Sequence, residues 1–355
     1  IKKPRQATVP LNEALNRVSA IDIIAQDDLP RFDKSAVDGY ALKAEDTTGT
    51  SQFKPITFNL TESDTINSKQ ARQIWTGNPL PKGANAVVMI ENTQRHDGKL
   101  EVWVQLAKGG NVSKKGEDVK KGEKIIKAGT RLTPYHLALL SALGNSEAKV
   151  AEKPRIGILA TGNELAEAGS KPSENQIFES NRIMLSTMCH ELGAEPVDLG
   201  IAKDDLTELA EKLKIGLQKC DAIITSGGTS VGELDLIPEA VNKTGKPVAA
   251  IIGFEVFARP LICKMLGMSQ TEPRTTVNAV ITRKMATALG RKTFVRVRVI
   301  QKNDAFLAEP VSTRGSGAIS TMTRSNGFVI VPENREGIAQ GENVTVYLFG
   351  KVEEA

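Results

Sequence analysis

The feature that most constrains the fold is an alternation of strand and helix patterns in the middle of the chain. Strand patterns at residues 155–160, 195–199 and 221–225 alternate with helix patterns at residues 181–192 and 206–217. Strands that are separated by helices of this length pair in parallel, because a helical crossover returns the chain to the same end of the sheet. The middle of the chain is therefore predicted to be a doubly wound α/β/α domain.

The part before this region has a different character. A helix pattern at residues 11–18 precedes a Pro-containing irregular passage, and short strand patterns follow at residues 86–90 and 100–104. A further helix pattern covers residues 134–143. The mixture of short strands and turns rich in Gly, Asn and Pro predicts an elongated N-terminal part of α+β and β character.

The part after the alternating region is predicted to be all β. Alternating or continuous apolar patterns occur at residues 294–299, 327–331 and 343–349. Several short strands without intervening helices are typical of a small barrel or sandwich.

A chain of 355 residues is long for one compact unit, so two to four domains are expected. The pattern of the sequence changes near residues 45, 116, 150 and 268, with a β-rich stretch at residues 46–116, the α/β region at residues 151–268, and the expected barrel or sandwich at residues 269–355.

One place contradicts the alternating pattern. Predicted helices at residues 236–242 and 248–265 are joined by residues 244–247, with no strand between them. A doubly wound sheet places a strand between two such helices. Either the sheet ends here or residues are missing, and we favour missing residues.

Composition excludes several classes of protein. No run of ~18 apolar residues exists, so no membrane span is expected, and the absence of a visible signal peptide predicts a cytoplasmic protein. A net charge of +4 and an aromatic content of 4% argue against nucleic-acid binding. The densest basic stretch is expected to be a solvated face, and it contains Lys114, Lys115, Lys120, Lys121, Lys124 and Lys127.

The residues that most often bind transition metals are scattered. The three cysteines and three histidines show no metal-ligand spacing, and they are Cys189, Cys220, Cys263, His96, His136 and His190. A protein-built zinc or thiolate site is therefore not expected.

Two glycine-containing loops follow predicted strands. The first has the sequence TGNEL at residues 161–165, and the second has the sequence SGGTSVG at residues 226–232. Backbone N–H groups in such loops approach phosphate oxygens closely, although many loops of this kind are only tight turns. No Walker lysine and no GxGxxG motif accompanies them, which argues against kinase and dinucleotide sites.

Three acidic residues lie close behind the predicted strands, namely Glu164, Asp204 and Asp235. Taken singly, Asp204 is as well explained as a helix N-cap and Asp235 as a first-turn acid. Taken together, they would converge on one edge of the sheet. Carboxylates beside a phosphate site need a hard cation between them, so these three residues are predicted to bind Mg²⁺.

The motifs resemble those of the molybdopterin molybdenumtransferases, a family that includes the bacterial and archaeal MoeA proteins and the gephyrin E domain. Residues 35–41 (SAVDGYA) resemble the signature S-A-(M/V)-D-G-(Y/F)-A, and residues 76–88 (TGNPLPKGANAVV) resemble T-G-A-P-L-P-x-G-A-D-A-V-V. Residues 116–119 (GEDV) and the two glycine-containing loops follow in the order of the family. The resemblance covers essentially the whole chain.

This resemblance implies a specific reaction and assembly. Adenylyl-molybdopterin and molybdate (or tungstate) would react, with Mg²⁺, to give the mature cofactor and AMP. The dithiolene of the substrate supplies two sulfur ligands, so the protein needs no cysteine at the metal. The subunit would have four domains, with residues 1–45 and 117–150 forming the dimerisation domain and residues 151–268 binding molybdopterin. The partners would be a second copy in a homodimer and, transiently, the adenylyltransferase or apo-molybdoenzymes.

The resemblance also assigns residues. Catalytic roles fall to Asp38, Thr76, Asp118, Glu164 and Asp235, with Thr76 positioning the oxyanion and the Asp38 region acting across the dimer interface. The phosphate and pterin would be bound by Thr161, Gly162, Asp204, Ser226, Gly227, Gly228, Ser230 and Gly232.

The chain departs from the family pattern at Asn78, Asn85 and Asn163, which are tolerable replacements, and more seriously near Lys246. The family has the segments K-P-G-K-P and L-P-G-(N/Y)-P-V-(S/A), where this chain has only Lys246 and Pro247. If the segment is absent, two lysines expected to bind the anion are absent too. Two other functions therefore stay open: a non-catalytic molybdopterin-binding or scaffold protein of the same fold, and the preceding adenylyltransferase step, against which the first and last domains argue.

Overall fold

The protein is described by a computed structural model, which covers residues 4–227, 250, 253–268, 274–311 and 320–354. The chain divides into two compact units. The N-terminal unit comprises residues 8–150, and the C-terminal unit comprises residues 1–7 and 151–355. The finer division into four domains stays a prediction.

Residues 6–151 contain twelve strands and one α-helix: β1 (Gln6–Pro10), β2 (Ile23–Ile24), β3 (Lys34–Ser35), β4 (Gly39–Leu42), β5 (Ile56–Leu60), β6 (Gln70–Ile74), β7 (Ala86–Met89), β8 (Thr93–His96), β9 (Lys99–Val102), β10 (Val112–Ser113), β11 (Lys124–Ile126), α1 (Pro134–Ala142) and β12 (Glu147–Ala151). Short 3₁₀ helices cover Leu11–Glu13, Ala44–Thr47 and Ile90–Asn92.

The main element of the N-terminal unit is a six-stranded sheet with the order β7-β4-β6-β5-β9-β8. All four residues of β4 are buried, and this strand pairs antiparallel with both β6 and β7. The core of the sheet is formed by Tyr40, Leu42, Ala44, Phe58, Ala71, Ala86, Val88, Leu100 and Val102. The sequence motif at residues 35–41 therefore enters the sheet through its second half.

Two short antiparallel ribbons, β3 with β10 and β2 with β11, accompany the sheet. Ion pairs lie along them: Lys114 Nζ is 2.9 Å from Asp33 Oδ2, and Lys115 Nζ is 3.4 Å from Asp28 Oδ2. All six lysines of the basic stretch are exposed, as expected for a solvated face.

The predicted helix at residues 11–18 is wrong. Only Leu11–Glu13 is helical, in a single 3₁₀ turn, and Asn16 has a φ of 62°. Two of its backbone N–H groups bond outside the segment: Leu11 donates to the Ser146 carbonyl at 3.0 Å, and Asn16 donates to the Leu132 carbonyl at 2.9 Å. Pairing with distant chain thus replaces the local bonds of a helix.

Helix α1 agrees with its prediction and has a clear start signal. Thr133 and His136 form a capping box, and Pro134 occupies the first turn, where its missing N–H costs nothing.

The described part of residues 155–354 contains thirteen strands and four α-helices: β13 (Arg155–Thr161), β14 (Leu165–Ala166), β15 (Ile177–Phe178), α2 (Asn181–Glu191), β16 (Glu195–Ala202), α3 (Leu206–Lys219), β17 (Ala222–Gly227), α4 (Arg259–Met265), β18 (Thr276–Ile281), β19 (Met285–Ala286), β20 (Thr293–Lys302), β21 (Ala305–Pro310), α5 (Ser320–Thr323), β22 (Gly327–Val331), β23 (Gly337–Ile338), β24 (Asn343–Leu348) and β25 (Glu353–Glu354). A π-helix, Phe254–Ala258, precedes α4.

The alternating region forms a parallel sheet, as predicted. In the described part its order is β16-β13-β17, and both neighbours run parallel to β13. Six of the seven residues of β13 are buried, which explains its continuous apolar pattern. Helices α2 and α3 agree with their predictions and pack on this sheet.

The described residues include only part of two predicted features in the middle of the chain. The described part of the predicted helix at residues 248–265 is helical. The predicted helix at residues 236–242 and the interruption near Lys246 lie outside the described residues.

The C-terminal strands form a closed barrel, which decides between the two predicted architectures. The sheet order is β21-β18-β24-β22-β20-β25, and an additional pairing of β20 with β21 closes the ring. Its interior is lined mainly by branched apolar residues, including Val297, Val299, Val331 and Val346, none of them measurably exposed. Such closure removes the exposed strand edges of an open sheet.

The three cysteines carry free thiols. Burial raises the pKa of the Cys189 thiol to about 12, so this side chain stays protonated and unreactive at neutral pH. No described helix combines the length and the hydropathy needed to cross a membrane.

Asn326, which is 6% exposed, replaces missing backbone bonds in the barrel. Its Oδ1 accepts from the Val299 N–H at 2.6 Å, and its Nδ2 donates to the carbonyls of Val299 and Lys351, both at 2.9 Å. We expect Asn326→Ala to lower the free energy of unfolding by about 1–3 kcal/mol, because these buried groups lose their partners. Urea denaturation measures the change, and Asn343→Ala, at an exposed position of β24, is the control. Equal stability of the two variants would contradict this assignment.

Candidate functional site

The carboxyl edge of the parallel sheet presents buried polar groups. Strand β13 ends at Thr161, which pairs with Ala202 of β16 and with Gly227 of β17. Thr161 is only 5% exposed, and its Oγ1 has no hydrogen-bond partner in the described part of the chain. A buried hydroxyl without a partner is costly in a folded protein and marks a place where a ligand can supply the missing bond.

A second group of this kind lies at the start of α2. Asn181 Nδ2 donates to Ser226 Oγ at 2.7 Å, and both residues are buried. Asn181 Oδ1 is buried as well and finds no donor among the described residues. Asn181 is not among the residues predicted from the sequence, although its position at the first turn of a helix facing a strand end is a recognisable signal.

Glu179 and Arg182 hold the start of α2 in place. The Glu179 carboxylate accepts from the N–H groups of Asn181 and Arg182, at 2.7 and 3.0 Å, and so caps the helix. Burial disfavours the Arg182 charge, but Asp198, Glu167 and Glu179 outweigh it and raise the pKa of the guanidinium. Arg182 therefore stays charged and ties the helix to the loop that follows Glu164.

Two glycines form the floor of this edge because no larger residue fits. At Gly227, with a φ of 107°, a Cβ would lie 2.0 Å from the Thr161 carbonyl oxygen. At Gly162, with a φ of 148°, a Cβ would lie 2.5 Å from the Glu164 carboxylate. The carboxylate of Glu164 thus lies directly over the glycine backbone, at the end of β13.

Asp204 is joined to the same loop through Asn163. The Asn163 N–H donates to Asp204 Oδ2 at 3.4 Å, and the Asp204 N–H donates to Asn163 Oδ1 at 3.3 Å. The N-cap of α3 is Asp205, which accepts from the Glu208 N–H at 2.9 Å. The capping explanation therefore applies to Asp205, and Asp204 lies at the sheet edge beside the loop of Glu164.

Not all of the predicted residues can be placed. Gly228, Ser230, Gly232 and Asp235 lie outside the described residues. Within the described residues, no group of three or more acidic, His or Cys side chains is arranged to hold a metal ion. The predicted Mg²⁺ site therefore stays a prediction; Glu164 and Asp204 are described, and Asp235 is not.

In the N-terminal unit, hydrogen bonds connect the motif at residues 35–41 to the motif at residues 76–88. Asp38 Oδ1 accepts from the backbone N–H of Thr76 at 2.7 Å and from its Oγ1 at 2.6 Å. Both residues are exposed. These two bonds, the side-chain bond first, lower the pKa of Asp38 against an opposing effect of burial.

The contact depends on the backbone around Ser35 and Gly39. Ser35 is fully buried, and its carbonyl accepts from the Gly77 N–H at 2.8 Å while its N–H donates to the Asn78 carbonyl at 3.0 Å. A Cβ at Gly39 would lie 1.8 Å from the Val88 carbonyl oxygen. Close backbone approach therefore requires the Gly of the motif at residues 35–41, and Ser35 holds residues 77 and 78 through its backbone.

Asp118 lies in a separate turn of this unit. Its N–H donates to the Leu29 carbonyl at 3.1 Å, and its side chain is exposed. No described contact joins Asp118 to Asp38 or Thr76, so its catalytic role stays a prediction.

Known proteins share this architecture along the whole chain. Residues 1–144 match a model of the MoeA N-terminal region (domains I and II), residues 157–295 match a probable molybdopterin-binding domain, and residues 278–349 match the MoeA C-terminal region (domain IV). The three matches describe one class of protein, a multidomain molybdopterin-binding protein.

Relatives narrow the class to a family. A putative molybdopterin biosynthesis protein of Methanocaldococcus jannaschii is 38% identical over 379 residues, covering 96% of this chain and 92% of the relative. The molybdopterin molybdenumtransferase of Bacillus subtilis is 32% identical, covering 96% and 89%. A crystal structure of the MoeA protein from Pyrococcus horikoshii OT3 is similar with a TM-score of 0.84 and 33% identity, covering 97% and 95% of the two chains. The chain therefore belongs to the MoeA family, as its motifs indicated.

Gly227→Ala tests the floor of the sheet edge. We expect it to lower the free energy of unfolding by at least about 2 kcal/mol, because the new methyl group meets the Thr161 carbonyl and φ is positive. Thermal or urea denaturation measures the loss. Gly253→Ala is the matched control, since Gly253 has helical torsions and, among the described residues beyond its own helix and chain neighbours, no atom lies within 4 Å of the position that its new methyl group would take. A similar stability of the two variants would argue against the close approach.

Thr76→Val tests the cause of the lowered pKa of Asp38. Removing the hydroxyl should move this pKa upward toward its ordinary value. Because the folded protein favours the ionised form, Asp38 contributes stability at neutral pH that is lost as the pH falls through the lowered pKa. A ¹³C carboxyl NMR titration measures the pKa, with Thr48→Val, whose hydroxyl bonds the Glu45 carbonyl, as control. An unchanged pKa in Thr76→Val would refute the assignment.

Proposed function

We propose that this chain inserts molybdate or tungstate into adenylyl-molybdopterin with release of AMP. The reaction is that of the molybdopterin molybdenumtransferases, to which the chain is 30–32% identical over nearly its full length. The proposal therefore rests on family membership, and the chemistry of the sheet edge gives it a physical basis.

The observation that carries the proposal is a pair of buried atoms at the carboxyl edge, Thr161 Oγ1 and Asn181 Oδ1, which have no hydrogen-bond partner among the described residues. A hydroxyl can donate to a phosphate oxygen, and an amide oxygen can accept from an N–H group of a pterin. The adjacent glycines, Gly162 and Gly227, allow the ligand to approach the backbone. We assign this edge to the pterin and its phosphate, together with Ser226 and the predicted Gly228, Ser230 and Gly232.

The acids at this edge fit a hard cation. Mg²⁺ binds through one or two carboxylates and completes its shell with water and substrate phosphate oxygens, and Glu164 and Asp204 provide two carboxylates at one edge. When bound there, Mg²⁺ would neutralise the phosphoanhydride during its cleavage. We propose Asp235 as a third ligand. The loop geometry at Asn163 holds Asp204 toward the same side as the Glu164 loop.

The N-terminal residues are proposed to act on the oxyanion from the second copy in a homodimer. Both donors of Thr76 are used by Asp38, so Thr76 serves as a positioning residue for the Asp38 carboxylate rather than as a donor to molybdate. The lowered pKa keeps Asp38 anionic at neutral pH, where it can accept a hydrogen bond from a water molecule or a protonated oxygen of the oxyanion. We propose that Asp118 joins this group.

A scaffold function is the second candidate, and a specific observation favours it. The match to the M. jannaschii relative extends over 379 positions, more than the 355 residues of this chain, so that relative has residues without a counterpart here. The family's lysine-bearing segment is not found in the sequence around Lys246 and Pro247. A chain without it would bind adenylyl-molybdopterin and release no AMP.

Glu164→Gln tests the proposed reaction. The variant should release AMP from adenylyl-molybdopterin at least about 100-fold more slowly, because it removes one charge from the cation site. AMP is quantified by chromatography in the presence of molybdate and Mg²⁺. Glu174→Gln, an exposed position further along the same loop, is the matched control and should keep the rate of the unchanged protein.

The outcomes separate the candidates. Slow release by Glu164→Gln alone supports the transferase. Full activity of Glu164→Gln refutes the role of the acid, whereas binding of adenylyl-molybdopterin without AMP release by the unchanged chain establishes the scaffold instead.

A further inference from the structure

A crevice of about 570 Å³ lies within the C-terminal unit, between the helix α4 and the end of the barrel strand β24. Its cationic wall is formed by Arg259, Arg274 and Lys351, and its apolar wall by Leu348, Phe349 and Val352. No described residue that lines it is acidic. The crevice contains none of the residues assigned above to the sheet edge.

The two arginines share one carboxylate. Glu255, whose side chain is 7% exposed, lies 3.1 Å from Arg259 Nε and accepts a hydrogen bond of 2.9 Å from Arg274 Nε. A second bond joins Arg274 to the other carboxylate oxygen of Glu255. Arg274 is therefore well paired by the Glu255 carboxylate. Together, the two arginines and Glu255 carry a net charge of +1 in a largely buried place.

Arg259 is the partner that remains incompletely paired. The residue is 8% exposed, and its Nε makes no hydrogen bond of acceptable angle in the described part of the chain, despite its 3.1 Å approach to Glu255. A buried guanidinium offers five N–H donors in one plane and is stabilised when an anion occupies them. Since Arg259 lines the crevice, an anion that enters it meets these donors.

The size and the second wall of the crevice select the kind of anion. A bare tetrahedral oxyanion would fill a small part of about 570 Å³ and would leave the apolar wall uncovered. Leu348, Phe349 and Val352 add aliphatic and aromatic atoms to the same lining. Binding sites of this type combine a few polar groups that fix orientation with a larger apolar lining.

We propose that this crevice binds a small organic anion, such as a phosphate monoester, with its oxyanion group on Arg259 and Arg274 and its apolar part against Leu348, Phe349 and Val352. The site is distinct from the proposed transferase site, and the inference does not depend on the proposed function.

Binding of phenyl phosphate and inorganic phosphate to the full chain, measured by isothermal titration calorimetry, tests the proposal. Phenyl phosphate should bind at least about fivefold more tightly than inorganic phosphate, because only the ester covers the apolar wall. Arg259→Gln should weaken phenyl phosphate at least about tenfold, because it removes the incompletely paired charge. Arg298→Gln is the matched control: it removes the same charge from an exposed ion pair with Glu353 on the barrel.

A third variant should change the affinity for phenyl phosphate in the opposite direction. Glu255→Gln raises the net charge of the group and should strengthen phenyl phosphate binding, and circular dichroism and the thermal midpoint confirm that it is folded. The proposal is overturned if the unchanged chain binds neither probe or binds both equally, if Arg259→Gln and Arg298→Gln bind phenyl phosphate alike, or if folded Glu255→Gln binds it more weakly.

Discussion

The arrangement of the candidate site depends on the parallel pairing of β13 with β16 and β17. Parallel neighbours bring Thr161, Ala202 and Gly227 to the same level, so that the loops after all three strands emerge at one edge. Close backbone packing at Gly227 buries the end of β13, and burial in turn leaves the Thr161 hydroxyl without a partner among the described residues. The unpaired polar atoms of the edge are thus a direct consequence of how the sheet is paired.

Charge is distributed differently in the two units. Along the ribbons of the N-terminal unit, exposed lysines and aspartates pair in water, where each pair contributes little stability. In the C-terminal unit, Arg182 and Glu255 are largely buried and hold helices to neighbouring segments. Buried ionic groups must be satisfied more completely than exposed ones, and the incompletely paired Arg259 stands out for this reason.

Local patterns predicted the elements well where they agree with tertiary packing. Helices α1, α2 and α3 and the central strand β13 follow from periodicity and from start signals such as the capping box at Thr133. The pattern at residues 11–18 failed because the backbone of Leu11 and Asn16 bonds to distant chain, which no local periodicity records. The C-terminal barrel was predicted from its succession of short strands, and the tertiary structure adds the pairing of β20 with β21 that closes it.

The sequence by itself determined the family and the glycines that backbone contact requires, because these residue types recur in motifs with a fixed order. The roles that it predicted for the acids Glu164 and Asp204 stay predictions. Only the tertiary structure decided that Asp205 rather than Asp204 caps α3. It also decided that Thr76 donates to Asp38 through both its N–H and its hydroxyl, and that Asn181 donates to Ser226. The physical reason is that these hydrogen bonds join residues far apart in sequence. Differences of a few tenths of an ångström decide whether such a bond forms, and these distances are set when separate elements pack together.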